Sequence, residues 1–124
     1  MHDDHEQLDQ ELARVAQSLH GGDHMLACLQ LAEFALKLDH YIHREERTLA
    51  LAYQLLETSL PGAMATVRRE HTSLRELVAS VASALDRADS DRGLEMIGKL
   101  RSVLVLHVAK EELLLAPPTS TAIH

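Results

Sequence analysis

Ile97-Gly-Lys-Leu100-Arg-Ser-Val-Leu104-Val-Leu-His107-Val-Ala-Lys-Glu111-Glu112-Leu-Leu-Leu115 reads as one amphipathic helix whose buried face changes character at its end. Ile97, Leu100, Leu104, His107, Glu111 and Leu114 recur at spacings of three and four, the period that lines one side of an α-helix. The face is apolar up to Leu104. It then carries His107 and Glu111, four residues apart and therefore aimed at the same spot.

Three more stripes of this kind precede it. They are His5, Leu8, Leu12, Val15, Leu19; then Leu31, Phe34, Leu38, Tyr41, Glu45, Thr48; then His71, Leu74, Val78, Val81, Leu85. Breaks separate them: Gly21-Gly22-Asp23 as a helix stop followed by a cap, Thr58-Ser59-Leu60-Pro61-Gly62, and the polar Ala88-Asp89-Ser90-Asp91. Pro117-Pro118 ends the last helix. The expected helices span 3–20, 24–58, 62–87 and 91–115, in one domain over 3–117 with a tail at 118–124. Long helices on short connections imply an all-α, up-down-up-down antiparallel four-helix bundle.

The chain also repeats itself at a shift of 66 residues, which carries His5 onto His71, Leu8 onto Leu74, Asp23 onto Asp89 and Glu45-Glu46 onto Glu111-Glu112. A two-helix unit cannot bury its apolar face alone, so two units packed together form the bundle. In an antiparallel bundle the polar ends of the four stripes coincide. His5, Tyr41, Glu45, His71, His107 and Glu111 are therefore expected in one interior layer. Two carboxylates buried there without counter-charge would cost several kcal/mol or stay protonated. Metal cations supply that charge, and imidazole with carboxylate in a bundle suits iron first, then manganese or zinc.

Composition narrows the class further. Hydrophobic residues make up 46% and aromatics 2%, so the core is aliphatic, as helical bundles are. A net charge of −7 argues against nucleic acid or an anionic membrane surface as partner. The acidic start is not a signal peptide, and no apolar run is long enough to span a membrane. Lone Cys28 fits a reducing cytoplasm and is expected in the core, as are Met25, Met64 and Met96. His2, His20, His24, His40, His43 and His124 are expected to face solvent. Glu46 and Glu112 rotate off the axis, towards hydrogen bonding with a ligand histidine or towards water.

These residues resemble the hemerythrin-like family with its His-Glu cation-binding motif, over nearly the whole chain. The family pattern of one His, H-x-x-x-E, one His, H-x-x-x-E is met by His5, by Glu45, by His71 in E-H-T-S-L-R-E-L, and by His107 with Glu111. The resemblance implies two non-haem irons bridged by Glu45 and Glu111, with His5, His71 and His107 as terminal ligands and one vacancy for dioxygen. The departure is Tyr41, which stands where His would precede Glu45 by four residues. Tyr41 itself, His40 brought inward by a helical bulge, or no side chain are the three candidates for that position.

The expected function is binding of dioxygen or a related small oxidant such as nitric oxide or peroxide, for sensing or carriage. Any signalling output then comes from a protein partner or from homo-oligomerisation. Alternatives are a redox enzyme reducing peroxide or oxygen, an iron-handling protein, and a metal-free structural bundle. If Glu111 bridges, Glu111→Ala should abolish occupancy of both metal positions while Glu112→Ala retains most of the metal. Metal analysis of the two purified variants checks this, and equal loss in both means that the other face of helix four is the inner one.

Overall fold

The computed structural model describes residues 2–56 and 61–114, apart from the side chains of 2–4, 53–56, 61, 63 and 110–114. Four helices follow in order: α1 His2–His20, α2 His24–Leu56, α3 Pro61–Asp86 and α4 Ser90–Leu114. Each helix packs on the next in sequence and α4 closes back on α1, with no contact across the diagonals among the described residues. That is the square section of a four-helix bundle. The expected boundaries hold to within a residue at every end the described residues include.

The core is aliphatic and follows the stripes. Leu8, Leu12, Val15, Leu31, Phe34, Leu38, Leu74, Val81, Ile97, Leu100 and Leu104 are buried together. Three residues expected on the inner face are exposed, each for a rotational reason. Ala27 takes the inward place on α2, and Cys28, about 100° further round, is exposed. Met25 lies on the far side of the same helix and is 76% exposed, whereas Met96 is buried as expected. Thr48 is exposed because Leu49, one residue on, is the buried one.

The two helical hairpins turn in the same way. At the end of α1, Gly22 adopts φ 78°, with Asp23 N–H donating to Ser18 O at 2.8 Å and Gly22 N–H to Leu19 O at 3.0 Å. This paired pattern is the Schellman motif, which satisfies the last carbonyls of a helix. At the end of α3, Asp89 N–H donates to Ala84 O at 2.9 Å and Ala88 N–H to Leu85 O at 3.0 Å. Asp23 then caps α2 through Leu26 N–H at 3.1 Å, and Asp89 caps α4 through Arg92 N–H at 3.0 Å. All four positions keep the 66-residue offset.

His24 and Ser90, related by that offset, hydrogen-bond to each other at 3.2 Å, so His24 is half-buried rather than solvent-facing. Beside them Gly93 lets α4 approach closely, since a Cβ there would sit 3.3 Å from Leu19 Cδ1. Arg101 locks α4 to α1 through two bonds to Asp9, at 2.7 and 2.9 Å, and that hydrogen bond raises the guanidinium pKa.

The turns differ in one respect: the second places Ala88, not glycine, at φ 56°. A left-handed non-glycine residue costs roughly 1–2 kcal/mol. Ala88→Gly should therefore raise the unfolding free energy by about 0.5–1 kcal/mol once glycine's extra chain entropy is subtracted. Gly22→Ala should lower it by about 1 kcal/mol. Urea denaturation of both variants checks this, and an Ala88→Gly protein no more stable than the parent refutes the strain.

Candidate metal centre

The polar ends of the stripes meet where the sequence places them. Glu45, His71 and His107 are buried, with side chains no more than 1% exposed. One oxygen of Glu45, Oε1, lies 2.6 Å from His71 Nε2 and 2.7 Å from His107 Nε2. A ligand atom from each of the three falls within 4.8 Å of the others, so the group could hold a metal ion. The carboxylate comes from the first two-helix half and both imidazoles from the second.

The outer nitrogen of each imidazole is also engaged. His71 Nδ1 pairs with Glu46 Oε2 at 2.7 Å, and His107 Nδ1 with Glu70 Oε1 at 2.8 Å. A carboxylate accepts the Nδ1 proton, which fixes the ring and its tautomer. In that tautomer both Nε2 atoms present lone pairs towards a carboxylate oxygen. Three acceptors converging on one point repel one another unless protons or a cation lie between them. This donor set fits a divalent metal.

Next to the triad stand Tyr41, 3% exposed, and His5. Tyr41 Oη and His5 Nε2 share a hydrogen bond of 2.6 Å, and the two rings meet edge to face with centroids 5.0 Å apart. Tyr41 is 6.4 Å from His107 and His71 5.0 Å from His107, ring centre to ring centre. His5, Tyr41, Glu45, His71 and His107 thus occupy one layer. The Glu111 and Glu112 side chains lie outside the described residues. α2 runs through this region as a regular α-helix and leaves His40 and His43 exposed, so no bulge turns His40 inward. One turn beyond Glu45 and His71, Leu49 of α2 and Val67 of α3 are buried apart from the main core.

Of the two outcomes expected for Glu46, hydrogen bonding to a histidine of the layer is the one found, with His71. Glu70 was not among the expected site residues. The signal lay in the motif itself, since an acid precedes the histidine in both Asp4-His5 and Glu70-His71.

A four-helix bundle with a buried histidine-carboxylate cluster defines a class of metal-binding helical proteins. Within it, the sequence profile of the hemerythrin HHE cation-binding domain matches residues 1–118, and the chain belongs to that family. Comparison with curated proteins finds no match, and comparison with solved structures finds none. No described helix is long and apolar enough to cross a membrane.

Removing metal should lower the thermal unfolding midpoint, because the layer then keeps its converging acceptors without a cation. Glu46→Gln and Glu70→Gln should each weaken zinc binding by about tenfold, the low end of the cost of losing such a partner. Equilibrium dialysis measures it. Binding unchanged in both variants would mean that these carboxylates only solvate the helix surface.

Proposed function

We propose that the chain is a non-haem two-iron protein that binds dioxygen or a related small oxidant, nitric oxide or peroxide, for sensing or carriage. The observation that carries this reading is the convergence of His71 Nε2 and His107 Nε2 on Glu45, with Glu46 and Glu70 behind them. In this reading Glu45 and Glu111 bridge the metals, and His5, Tyr41, His71 and His107 are terminal ligands. Iron supplies an open coordination position and accessible redox states. The chain's own residues hold it and set its charge.

A groove of about 420 Å³ between α1 and α2 reaches Tyr41, with Glu11, Lys37, His40 and Arg47 among its walls. It offers a small molecule a route to the layer. A second reading, a redox enzyme that reduces peroxide or oxygen, is favoured by the Tyr41–His5 hydrogen bond of 2.6 Å. In that reading bound iron would supply the redox couple, and His5 Nε2, left off the metal, would hold the proton of the Tyr41 phenol. Phenolate ligation also favours the ferric state, against reversible carriage.

Absorption spectra of the aerobically purified protein test the assignment. Ferric iron bound to phenolate, whose reference pKa near 10 the metal overrides, gives a broad visible band. That band should vanish in Tyr41→Phe and persist in His40→Ala. A spectrum unchanged in Tyr41→Phe removes the phenol from the ligand set. After reduction with dithionite, a spectrum that changes with dioxygen and reverts on degassing supports carriage, whereas irreversible oxidation supports the enzyme.

A further inference from the structure

The two halves of the polar layer are in different states of readiness. Glu45, His71 and His107 already face one another, and both imidazoles are oriented from behind by Glu46 and Glu70. Two imidazoles and one carboxylate are by themselves a sufficient donor set for a single divalent ion. On the other side, His5 Nε2, the atom a metal would need, is taken up by Tyr41 Oη at 2.6 Å. The internal repeat makes the contrast specific to this chain. His71 and His107 correspond to His5 and Tyr41 at the 66-residue offset, so the second pair has a phenol where the first has an imidazole. The inner nitrogens of His71 and His107 pair with Glu45 Oε1, itself a metal donor, at 2.6 and 2.7 Å, so a cation entering there gathers all three groups. His5 Nε2 pairs instead with a phenol, which as a neutral group is a poor donor to a divalent ion.

We propose that the centre loads in order, with the Glu45–His71–His107 triad taking the first divalent cation alone and the Tyr41–His5 hydrogen bond holding back the second. The proposal rests on the two-metal reading above and adds to it a stable intermediate carrying one metal ion per chain. Tyr41 acts here as a latch on His5. The second ion enters only when that hydrogen bond opens, and a neutral phenol gives a divalent ion little in return.

Cobalt(II) distinguishes the steps, because it binds such donors without needing an oxidant and reports its coordination in the visible region. Metal-free full-length chain, titrated anaerobically and followed by absorption and calorimetry, should take up cobalt in two resolved steps. The second should be weaker by roughly tenfold or more, the equivalent of opening one buried hydrogen bond. His5→Ala should keep the first step at its parent affinity and lose the second. His107→Ala should lose the first step, and Glu70→Gln, which leaves the core untouched, should weaken the first step selectively. Tyr41→His should bring the second step to within about tenfold of the first, since an imidazole replaces the latch and restores a neutral nitrogen donor. Uptake of two equivalents in a single step by the parent would overturn ordered loading and leave the two-metal reading intact. Equal weakening of the first step by His5→Ala and Glu70→Gln would overturn the assignment of that step to the triad. No uptake at all would overturn both readings.

Discussion

Two imidazole nitrogens aimed at one buried carboxylate oxygen constrain almost everything else in this bundle. Without a proton or a cation between them the arrangement is unfavourable, because Glu45 Oε1 faces the His71 Nε2 and His107 Nε2 acceptors at hydrogen-bond distance inside an apolar interior. It survives because each ring is held by a second carboxylate at its outer nitrogen and because three helices are fixed against each other by aliphatic packing below. Leu38, Leu74 and Leu104 lie one turn beneath Tyr41, His71 and His107, so the polar layer stands on the core. Leu49 and Val67 are buried one turn above Glu45 and His71. Groups buried to this degree are little screened by bulk water, and a bound cation is the counter-charge that matches the donors.

The internal repeat explains how so short a chain builds this environment. Each half supplies one capped turn, and the same backbone pattern recurs at Gly22 and Ala88 and at Asp23 and Asp89. The halves then meet along a pseudo-twofold axis, marked at the turn end by the His24–Ser90 contact between equivalent positions. A carboxylate from one half and imidazoles from the other join at the opposite end. Neither half holds the triad alone, so the donor set forms only when the two hairpins dock. Metal binding and tertiary packing are therefore coupled, as in other small metal-containing domains.

Much of this was legible in the sequence, and the failures are instructive. Helix ends were readable because Gly, Pro and Asp act locally through φ and through capping. The polar layer was readable because His and Glu at core spacing violate an otherwise aliphatic pattern. Rotation was the weak point. Cys28, Met25 and Thr48 are apolar or small residues one or two positions from a buried neighbour, and residue type alone does not choose between adjacent positions. Glu70 was missed for a different reason. Its role depends on α3 and α4 lying side by side so that it reaches His107, 37 residues away, and stripe analysis within one helix does not contain that distance. Tyr41 was placed correctly on the inner face, but its engagement with His5 is likewise a contact between helices.

On the proposed two-iron reading, Tyr41 is also where the electrostatics of the layer differ from a set of imidazoles and carboxylates alone. Each imidazole in such a centre is neutral as a ligand, and each carboxylate brings one negative charge. A phenol that deprotonates on ferric iron adds a further negative charge inside a region that bulk solvent does not screen. Added negative charge stabilises the higher oxidation state, so on the two-iron reading the Tyr41 end of the layer is the more easily oxidised one. The groove that reaches Tyr41 carries the basic side chains of Lys37 and Arg47, with Glu11 paired to Lys37 at 2.7 Å. On the proposed reading, the basic lining of the groove suits a small anionic or polarisable oxidant approaching the tyrosine. On the two-iron reading the triad, which does not line that groove and is backed by Glu46 and Glu70, is the fixed half of the centre, and the tyrosine half is the one that responds.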